Sequence, residues 1–410
     1  MGKKVVWIVN EYNYPDDSNT RQTNLCGLLN KYGYDCYIIS GSAGHKTKEN
    51  RIVGSDVVRY VETTEAKGFI INTPVYTNSY ERVYASLLFQ RRVWRNRNKL
   101  PKPDVIVSDF AGLFGNGFLK WKRRYGTTIV FDILDLWPEA FVAMGYISAN
   151  SFIAKILYRM EHKSYREADG LIFSMQGGRD YIAGKGWSTE SGGDVDLGKI
   201  KYLNNGVNLE LVDQQSKFFQ LDIPELKTDK FKVVYLGSIS EFNGLDILVE
   251  TARILTARGN DRVSIIIYGY GNQEERLKKK VEEYGLKNIK FMGRLAKEYA
   301  MSLLSQSDIN CFTFKKTSIL KYGVSPNKLF MYFASGKPVL SLIKPAYDLV
   351  EKRNAGITVD NDPVLGADAI EIFQQMKRDK YDELCANARK VAEDYDYKSL
   401  FKELIGSIQR

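Results

Sequence analysis

The sequence predicts an α/β protein with two doubly wound parallel-sheet domains, and three observations lead to this prediction. The chain has 410 residues, 44% hydrophobic and 26% charged, which exceeds one ordinary core and suits two domains. Short apolar segments alternate with loops and helical patterns, which is typical of parallel sheets covered by helices on both faces. The alternation restarts after residues 205–206 (Asn-Gly).

The predicted strands set the domain boundaries. Buried strands are expected at 5–9, 37–39, 105–107, 129–131 and 171–173, and in the second half at 231–236, 264–268, 289–292, 309–312 and 339–342. We expect an N-terminal domain at 1–206, a C-terminal domain at 207–386 and a helix at 387–410 that can pack back on the first domain. The two domains would face each other across a cleft, with ligands bound beyond the carboxyl ends of the strands.

Composition excludes several other classes of protein. No run of about 18 apolar residues occurs, so no membrane-spanning helix is predicted. The N-terminal residues lack the pattern of a secretory signal, and we expect a cytoplasmic protein. The four cysteines show no paired spacing, and residues 194–196 (Asp-Val-Asp) lie in a Gly/Ser-rich loop rather than at a strand end. Neither a disulfide framework nor a metal site is predicted.

The charge distribution points to an anionic partner. The net charge is +10, of which residues 1–206 carry +7. Two basic clusters contain tryptophan: Arg91, Arg92, Trp94 and Arg95 form one, and Trp121, Lys122, Arg123 and Arg124 form the other. Such clusters suit the anionic face of a membrane, although an ordinary charged helix face has the same composition. No nucleic-acid-binding module is recognisable, so nucleic acid is not an expected partner.

The most informative segment is 323–340, Gly-Val-Ser-Pro-Asn-Lys-Leu-Phe-Met-Tyr-Phe-Ala-Ser-Gly-Lys-Pro-Val-Leu. Ser325 is predicted to cap a helix whose first residue is Pro326. The backbone amides of Asn327 and Lys328 would then point at a bound anion, with the positive end of the helix behind them. A diphosphate site fits this pattern, and so does a well-capped helix with no ligand.

This segment resembles the corresponding helix of family 4 glycosyltransferases, which have the GT-B fold. The likeness extends over nearly the whole chain and includes 135–139 (Asp-Leu-Trp-Pro-Glu), 205–208 (Asn-Gly-Val-Asn), 234–238 (Val-Tyr-Leu-Gly-Ser), 267–271 (Ile-Tyr-Gly-Tyr-Gly), 291–293 (Phe-Met-Gly) and 307–309 (Ser-Asp-Ile). Each motif is short, and their order and spacing carry the resemblance.

The resemblance implies transfer of a sugar from a UDP- or GDP-activated donor, with retention at the anomeric carbon and without a metal or cofactor. The acceptor would be lipid-linked or a saccharide, in bacterial surface polysaccharide or glycoconjugate synthesis at the inner face of the cell membrane. It assigns donor contacts to Gly237, Ser238, Gly269, Gly271, Ser325, Pro326, Asn327, Lys328 and Met331. The sequence leaves the oligomeric state open.

Several positions depart from the family pattern. Gly323 and Met331 occupy the places of two glutamates, and methionine is a poor acceptor for ribose hydroxyls. Ser238 and Asn243 stand where an arginine and a lysine are usual, and Tyr270 stands where the family has the aspartate of a Gly-Asp-Gly loop. The candidates for replacement charge are Arg294, Lys315, Lys316 and Lys321, all near predicted strand ends. These departures keep two alternatives open: a degenerate binding or partner subunit, and a nucleotide-sugar epimerase.

Acceptor-side residues are predicted in the N-terminal half. The loop after the first strand contains Ser18, Asn19 and Thr20, which can donate hydrogen bonds. Arg21 opens the helix that follows and is predicted, together with Asp135, to act in catalysis on the acceptor side. Asp135 is placed to orient an acceptor hydroxyl or accept its proton, and a structural role in the loop is the alternative. Asp109 follows another strand and supplies a second carboxylate.

Overall fold

The fold was analysed in a computed structural model, which describes residues 2–44 and 49–408. The chain forms two compact units. Unit 1 comprises Met1–Asn204 together with Leu400–Arg410, and unit 2 comprises Asn205–Ser399. Each unit is built on a largely parallel sheet, so the predicted α/β class with two doubly wound sheets is confirmed.

Over its described residues, unit 1 has an eight-stranded sheet in the order β3-β4-β2-β1-β5-β6-β7-β8, in which only the β3–β4 pair is antiparallel. Its strands are β1 (Val5–Val9), β2 (Asp35–Gly41), β3 (Val58–Glu62), β4 (Lys67–Ile71), β5 (Val105–Ser108), β6 (Thr128–Ile133), β7 (Gly170–Phe173) and β8 (Ile200–Tyr202). The sequence did not predict β3, β4 or β8. Because β3 is a half-exposed edge strand, its sequence contains no continuous apolar run from which a strand could be predicted.

The helices of unit 1 are α1 (Arg21–Lys31), α2 (Ser79–Arg95), α3 (Leu119–Tyr125), α4 (Glu139–Ala143), α5 (Phe152–Glu167) and α6 (Gly178–Gly184). The start of α1 is fixed by Thr20, whose hydroxyl accepts a hydrogen bond from the Thr23 amide, while the Thr23 hydroxyl accepts one from the Thr20 amide. Arg21 opens this helix, as predicted.

Unit 2 has six parallel strands among its described residues, in the order β11-β10-β9-β12-β13-β14. They are β9 (Phe231–Leu236), β10 (Val263–Tyr268), β11 (Ile289–Phe291), β12 (Ile309–Phe312), β13 (Val339–Ser341) and β14 (Gly356–Thr358). The strand order reverses between β9 and β12. In open parallel sheets, such a switch point creates the crevice where ligands bind.

The helices of unit 2 are α7 (Leu209–Phe218), α8 (Asp246–Ala257), α9 (Glu274–Glu283), α10 (Ala300–Ser305), α11 (Asn327–Ala334), α12 (Leu349–Lys352), α13 (Pro363–Gln374) and α14 (Arg378–Asp394). The last helix, α15 (Tyr397–Ile408), begins in unit 2, and its residues from Leu400 onward belong to unit 1. There Phe401 packs on Tyr32 with ring centroids 4.7 Å apart. In the part of the chain that the structure describes, no helix is long and apolar enough to cross a membrane.

One buried hydroxyl attaches α11 to the switch point of unit 2. Strand β9 pairs with β10 as far as Leu236, but its pairing with β12 stops at Val234. The Tyr332 hydroxyl accepts a hydrogen bond from the Leu236 amide and donates one to the Leu236 carbonyl, both at 3.0 Å. A side chain of α11 therefore occupies the place that the diverging strand leaves open.

We expect Tyr332→Phe to destabilise unit 2 by about 1–3 kcal/mol, because it leaves two buried backbone groups without partners. Amide exchange at Leu236 should accelerate, and the urea midpoint should fall. The matched control is Tyr284→Phe, since the Tyr284 hydroxyl bonds Glu250 at the surface. Unchanged exchange at Leu236 in Tyr332→Phe would contradict this role.

Candidate functional site

The N-terminus of α11 lies in unit 2 and lacks a side-chain cap. The helix begins at Asn327, one residue later than predicted, and Pro326 takes the capping position. The Leu329 amide bonds the Pro326 carbonyl, whereas no acceptor is assigned to the amides of Asn327 and Lys328 among the described residues. Unsatisfied amides at the positive end of a helix form an anion site.

The prediction that Ser325 caps this helix is wrong. Its hydroxyl instead accepts a hydrogen bond from the Asn205 amide at 3.2 Å, and its carbonyl accepts one from the Asn205 side chain at 2.6 Å. Ser325 therefore holds the loop before α11 against the 205–208 turn. Among the described residues, no side chain caps the N-terminus of α11.

Lys328 projects into the switch point of the sheet. Its Nζ donates to the Tyr235 hydroxyl at 2.8 Å and to Oδ1 of Asn243. The ammonium also lies 5.7 Å from the ring centroid of Phe312. Burial among these groups lowers the pKa of Lys328 to about 7. The lysine can therefore gain or lose its charge near neutral pH, and a bound anion would favour the charged form.

The glycines after β9 and β10 allow two loops to touch backbone to backbone. A Cβ on Gly269, whose φ is +153°, would lie 1.8 Å from the Gly237 carbonyl oxygen, and one on Gly271 would lie 2.2 Å from that of Ile239. The amides of Gly237 and Gly269 donate to the carbonyls of Tyr268 and Gly293. These contacts fix the loops, and Ser238 is left exposed beside them.

Two of the candidate replacement charges, Arg294 and Lys315, have different surroundings. The Arg294 guanidinium stacks on Tyr270, 3.7 Å from the ring centroid. Tyr270 stands where the family usually has the aspartate of Gly-Asp-Gly. At this position the chain therefore has an aromatic ring that binds the Arg294 cation, instead of a carboxylate. Lys315, in contrast, is paired with Glu241 at 2.5 Å. Its charge is partly neutralised by that carboxylate.

Met331 lies on α11 between Lys328 and Tyr332 along the chain and is half-buried against the core beneath the helix. Gly323 precedes the helix with a φ of +91°, in the left-handed region that favours glycine. The two positions that are often glutamates in the family thus serve packing and loop geometry in this chain.

In unit 1, Arg21 is a buried structural cation. It is only 5% exposed and forms a bidentate pair with Asp132 at 2.9 and 3.0 Å. Its remaining guanidinium donors bond the carbonyls of Leu203 and Asn204. Arg21 therefore links α1 to β6 and to the chain after β8. The structure does not leave it free to reach a substrate.

Asp109 sits at the switch point of unit 1, where β1 and β5 end. It accepts hydrogen bonds from the side chains of Gln22, at 2.5 Å, and Asn10. Burial and the nearby charge of Asp132 raise the pKa of Asp109 above the usual value of an aspartate. This predicted acceptor-side carboxylate is held in place by a polar cluster.

The remaining acceptor-side residues, Ser18, Asn19 and Thr20, differ in exposure and in hydrogen bonding. Ser18 is exposed. Asn19 has a φ of +52°, and its side chain accepts a hydrogen bond from Asn24. The Thr20 hydroxyl is occupied as the cap of α1. Of the two hydroxyls, that of Ser18 is the more accessible.

Asp135 follows β6 and is exposed. The adjacent Leu136 is buried, and Trp137 packs on Phe114 with ring centroids 4.8 Å apart. The apolar neighbours anchor the loop. The Asp135 side chain stays accessible there, while the surrounding protein desolvates the carboxyl and raises its pKa above the usual value of an aspartate. Among the predicted carboxylates, Asp135 is therefore the more accessible one.

Glu11 is a buried carboxylate that was not among the site residues predicted from the sequence. It follows β1 in the loop that also carries Ser18–Thr20, yet it is only 5% exposed. One carboxylate oxygen accepts from the Ser86 hydroxyl at 2.6 Å, and the other has no partner among the described residues. Burial raises the pKa of Glu11 to about 7. The only sequence feature that marks Glu11 as a candidate is its position shortly after the buried strand β1.

The two basic clusters differ from what was expected. Trp121 is buried, with its ring 5.3 Å from that of the half-buried Trp94, so the expectation that Trp121 contacts a membrane is wrong. Lys122 is paired with Asp169 at 2.7 Å, and Arg92 donates to the Asn72 carbonyl. The cluster members left exposed are Arg91, Arg95, Arg123 and Arg124.

Comparison with known proteins agrees with this architecture. Residues 230–375, within unit 2, match the family described as Glycosyl transferases group 1. WcaI of Escherichia coli strain K12, a glycosyl transferase named for colanic acid biosynthesis, is 29% identical over 238 residues, which is 57% of this chain and 56% of WcaI. The chain spans about half the length of the curated relatives it matches.

Solved structures extend the likeness to the whole fold. Sucrose-phosphate synthase from Thermosynechococcus elongatus has a TM-score of 0.74 at 15% identity and is matched over 99% of this chain and 98% of its own. HepE of Anabaena in complex with UDP has a TM-score of 0.65 at 15% identity, over 99% of both chains. At such low identity these matches establish the fold.

A structural role for Arg21 has a clear consequence. Arg21→Ala should destabilise unit 1 by about 3–5 kcal/mol, because it leaves the Asp132 carboxylate buried without its partner. Urea unfolding followed by tryptophan fluorescence measures this, with the exposed Arg91→Ala as the control. Wild-type stability combined with lost enzymatic turnover would instead assign Arg21 to the chemistry.

Proposed function

We propose that this chain, a member of the GT-B glycosyltransferases, transfers a sugar with retention from a nucleotide diphosphate donor to a lipid-linked or saccharide acceptor. One observation carries the proposal: the uncapped N-terminus of α11 and the ammonium of Lys328 converge on the switch point of unit 2. A diphosphate needs such a convergence of positive charge.

The chemistry follows from where charge develops. As the glycosidic bond of the donor breaks, negative charge grows on the departing diphosphate. The amides of Asn327 and Lys328, the helix dipole and the Lys328 ammonium would stabilise that charge without a metal ion. Arg294, held over Tyr270, is a second cation on the same unit and would contact the nucleotide part of the donor.

Two similar proteins support the choice of donor and pathway. The structure of HepE contains UDP, and WcaI is named for synthesis of colanic acid. We therefore propose a UDP- or GDP-sugar donor and a role in bacterial surface polysaccharide or glycoconjugate synthesis. The enzyme would work at the inner face of the cell membrane, bound peripherally to anionic lipid.

Unit 1 would hold the acceptor. Asp135 is exposed on an anchored loop and would orient the acceptor hydroxyl or accept its proton. Asp109 and Ser18 would add hydrogen bonds. Arg21 would act only through the scaffold it holds together.

A degenerate subunit that binds no donor is the second candidate. Met331, Ser238 and Asn243 lack the charges usual at these places, and the charge of Lys315 is engaged by Glu241. Titration calorimetry with UDP- and GDP-sugars separates the two candidates, because a degenerate subunit binds none of them. Product analysis without acceptor would reveal an epimerase by a converted sugar nucleotide.

Lys328→Ala should weaken binding of the sugar nucleotide by about 10- to 100-fold at pH 6, which is what loss of a charged hydrogen bond predicts. Because binding favours the ammonium form, wild-type affinity should fall as pH rises above about 7. The variant should lose this dependence. Calorimetry from pH 6 to 9 tests both points, with the exposed Lys287→Ala as control. Equal affinities for wild type and Lys328→Ala would reject the role.

Asp135→Asn should lower turnover by about 100-fold or more if the carboxylate accepts the proton of the acceptor. Donor affinity should stay at its wild-type value, because Asp135 belongs to unit 1. A radiolabelled transfer assay and calorimetry measure the two quantities separately. Wild-type turnover in Asp135→Asn would leave this residue with a structural role in its loop.

A further inference from the structure

The chain between Glu139 and Glu161 has an unusual composition. It contains no carboxylate, but it includes Lys155 and Arg159 and is otherwise largely apolar. This segment comprises α4, the connection that follows it and the first half of α5. A surface segment of this length without an acidic residue is suited to an anionic partner.

The apolar side chains of this segment are directed to solvent. Phe152 is 75% exposed and Ile153 is 62% exposed, at the first turn of α5, while Ile156 and Tyr146 are also exposed. The opposite side of α5 is buried through Ala154 and Leu157. The helix therefore has an apolar core-facing side and a second apolar side that stays exposed among the residues that the structure describes.

The cations of the segment are available as well. Lys155 and Arg159 are both exposed, and within residues 2–44 and 49–408 neither has an ion-pair partner. They lie one turn apart on α5, on either side of Ile156 in the sequence. We call Tyr146, Phe152, Ile153, Ile156, Lys155 and Arg159 the α5 patch.

The α5 patch differs from the basic clusters of α2 and α3. Those clusters retain exposed arginines, but Trp121 is buried and Trp94 packs against it. Their aromatic rings are therefore not available to enter lipid. Stable attachment of a protein to a membrane takes apolar insertion as well as charge attraction, and the α5 patch offers both.

We propose that the α5 patch docks on an anionic lipid surface, with Phe152 and Ile153 inserted at the headgroup boundary and Lys155 and Arg159 paired with lipid phosphates. Docking of the α5 patch on lipid is argued independently of the proposed function, and only its benefit to the enzyme rests on that function. The patch follows Asp135 in the same β6–β7 connection, so docking would bring a lipid-linked acceptor to the unit that carries this carboxylate.

Charge favours a lipid surface over a second copy of the chain. Two α5 patches placed face to face would bring four cations together without a carboxylate between Glu139 and Glu161 to compensate them. Such like-charge contact opposes association. An anionic lipid surface provides the opposite charge and an apolar layer beneath it.

The test is sedimentation of the full chain with vesicles of equal parts phosphatidylglycerol and phosphatidylcholine, and with pure phosphatidylcholine. The double variant Phe152→Ser/Ile153→Ser should lower the partition coefficient on anionic vesicles by about tenfold or more. Lys155→Gln/Arg159→Gln should weaken binding at low salt and reduce its salt dependence. Phe218→Ser is the matched control, since Phe218 is 80% exposed and lies in unit 2.

Each other outcome overturns the inference. Wild-type protein that stays unbound on anionic vesicles at low salt excludes lipid docking. An equal loss in Phe218→Ser, or a loss confined to Arg91→Gln/Arg95→Gln, places the contact elsewhere. A lipid-free dimer in analytical ultracentrifugation that Phe152→Ser/Ile153→Ser abolishes would assign the patch to self-association. Calorimetry with the sugar nucleotide on the same samples reports separately on the proposed function.

Discussion

The site of unit 2 depends on a gap in its sheet. Strands β9 and β12 diverge after Val234, so the amide and carbonyl of Leu236 lose the partners that a continuous ladder would give them. A buried backbone group without a partner is costly. Tyr332 supplies both partners with one hydroxyl and thereby fixes α11 at the switch point. Lys328 lies one helical turn earlier, so the same contact brings its ammonium to Tyr235.

The departures from the family pattern are mutually consistent in the structure. Asn243, where a lysine is usual, accepts a hydrogen bond from Lys328, so a cation from the helix reaches the place of the missing one. Tyr270, where an aspartate is usual, carries Arg294 on its ring. Lys328 thus brings a positive charge to the side chain at position 243, and Tyr270 supports a cation where the family has a carboxylate.

How much the sequence could predict varies with the kind of signal. Apolar runs identified the central strands such as β1, β9 and β12, because strands buried on both faces have few polar residues. The half-exposed β3 has no such run. The motif around Lys328 correctly located a helix after a strand. It assigned the wrong role to Ser325, because a serine before a helix can bond any nearby donor, and Asn205 is 120 residues away in the chain.

The sequence by itself determined the α/β class, the two sheets, the helix at α11 and the excess of positive charge, since these follow from local pattern and composition. Only the tertiary structure decided which polar groups are used internally and which stay accessible. Arg21 is paired with Asp132, and Trp121 is buried in the core. Phe152 and Ile153, in contrast, are exposed to solvent. Burial and pairing depend on residues distant in the chain, and no local pattern records them.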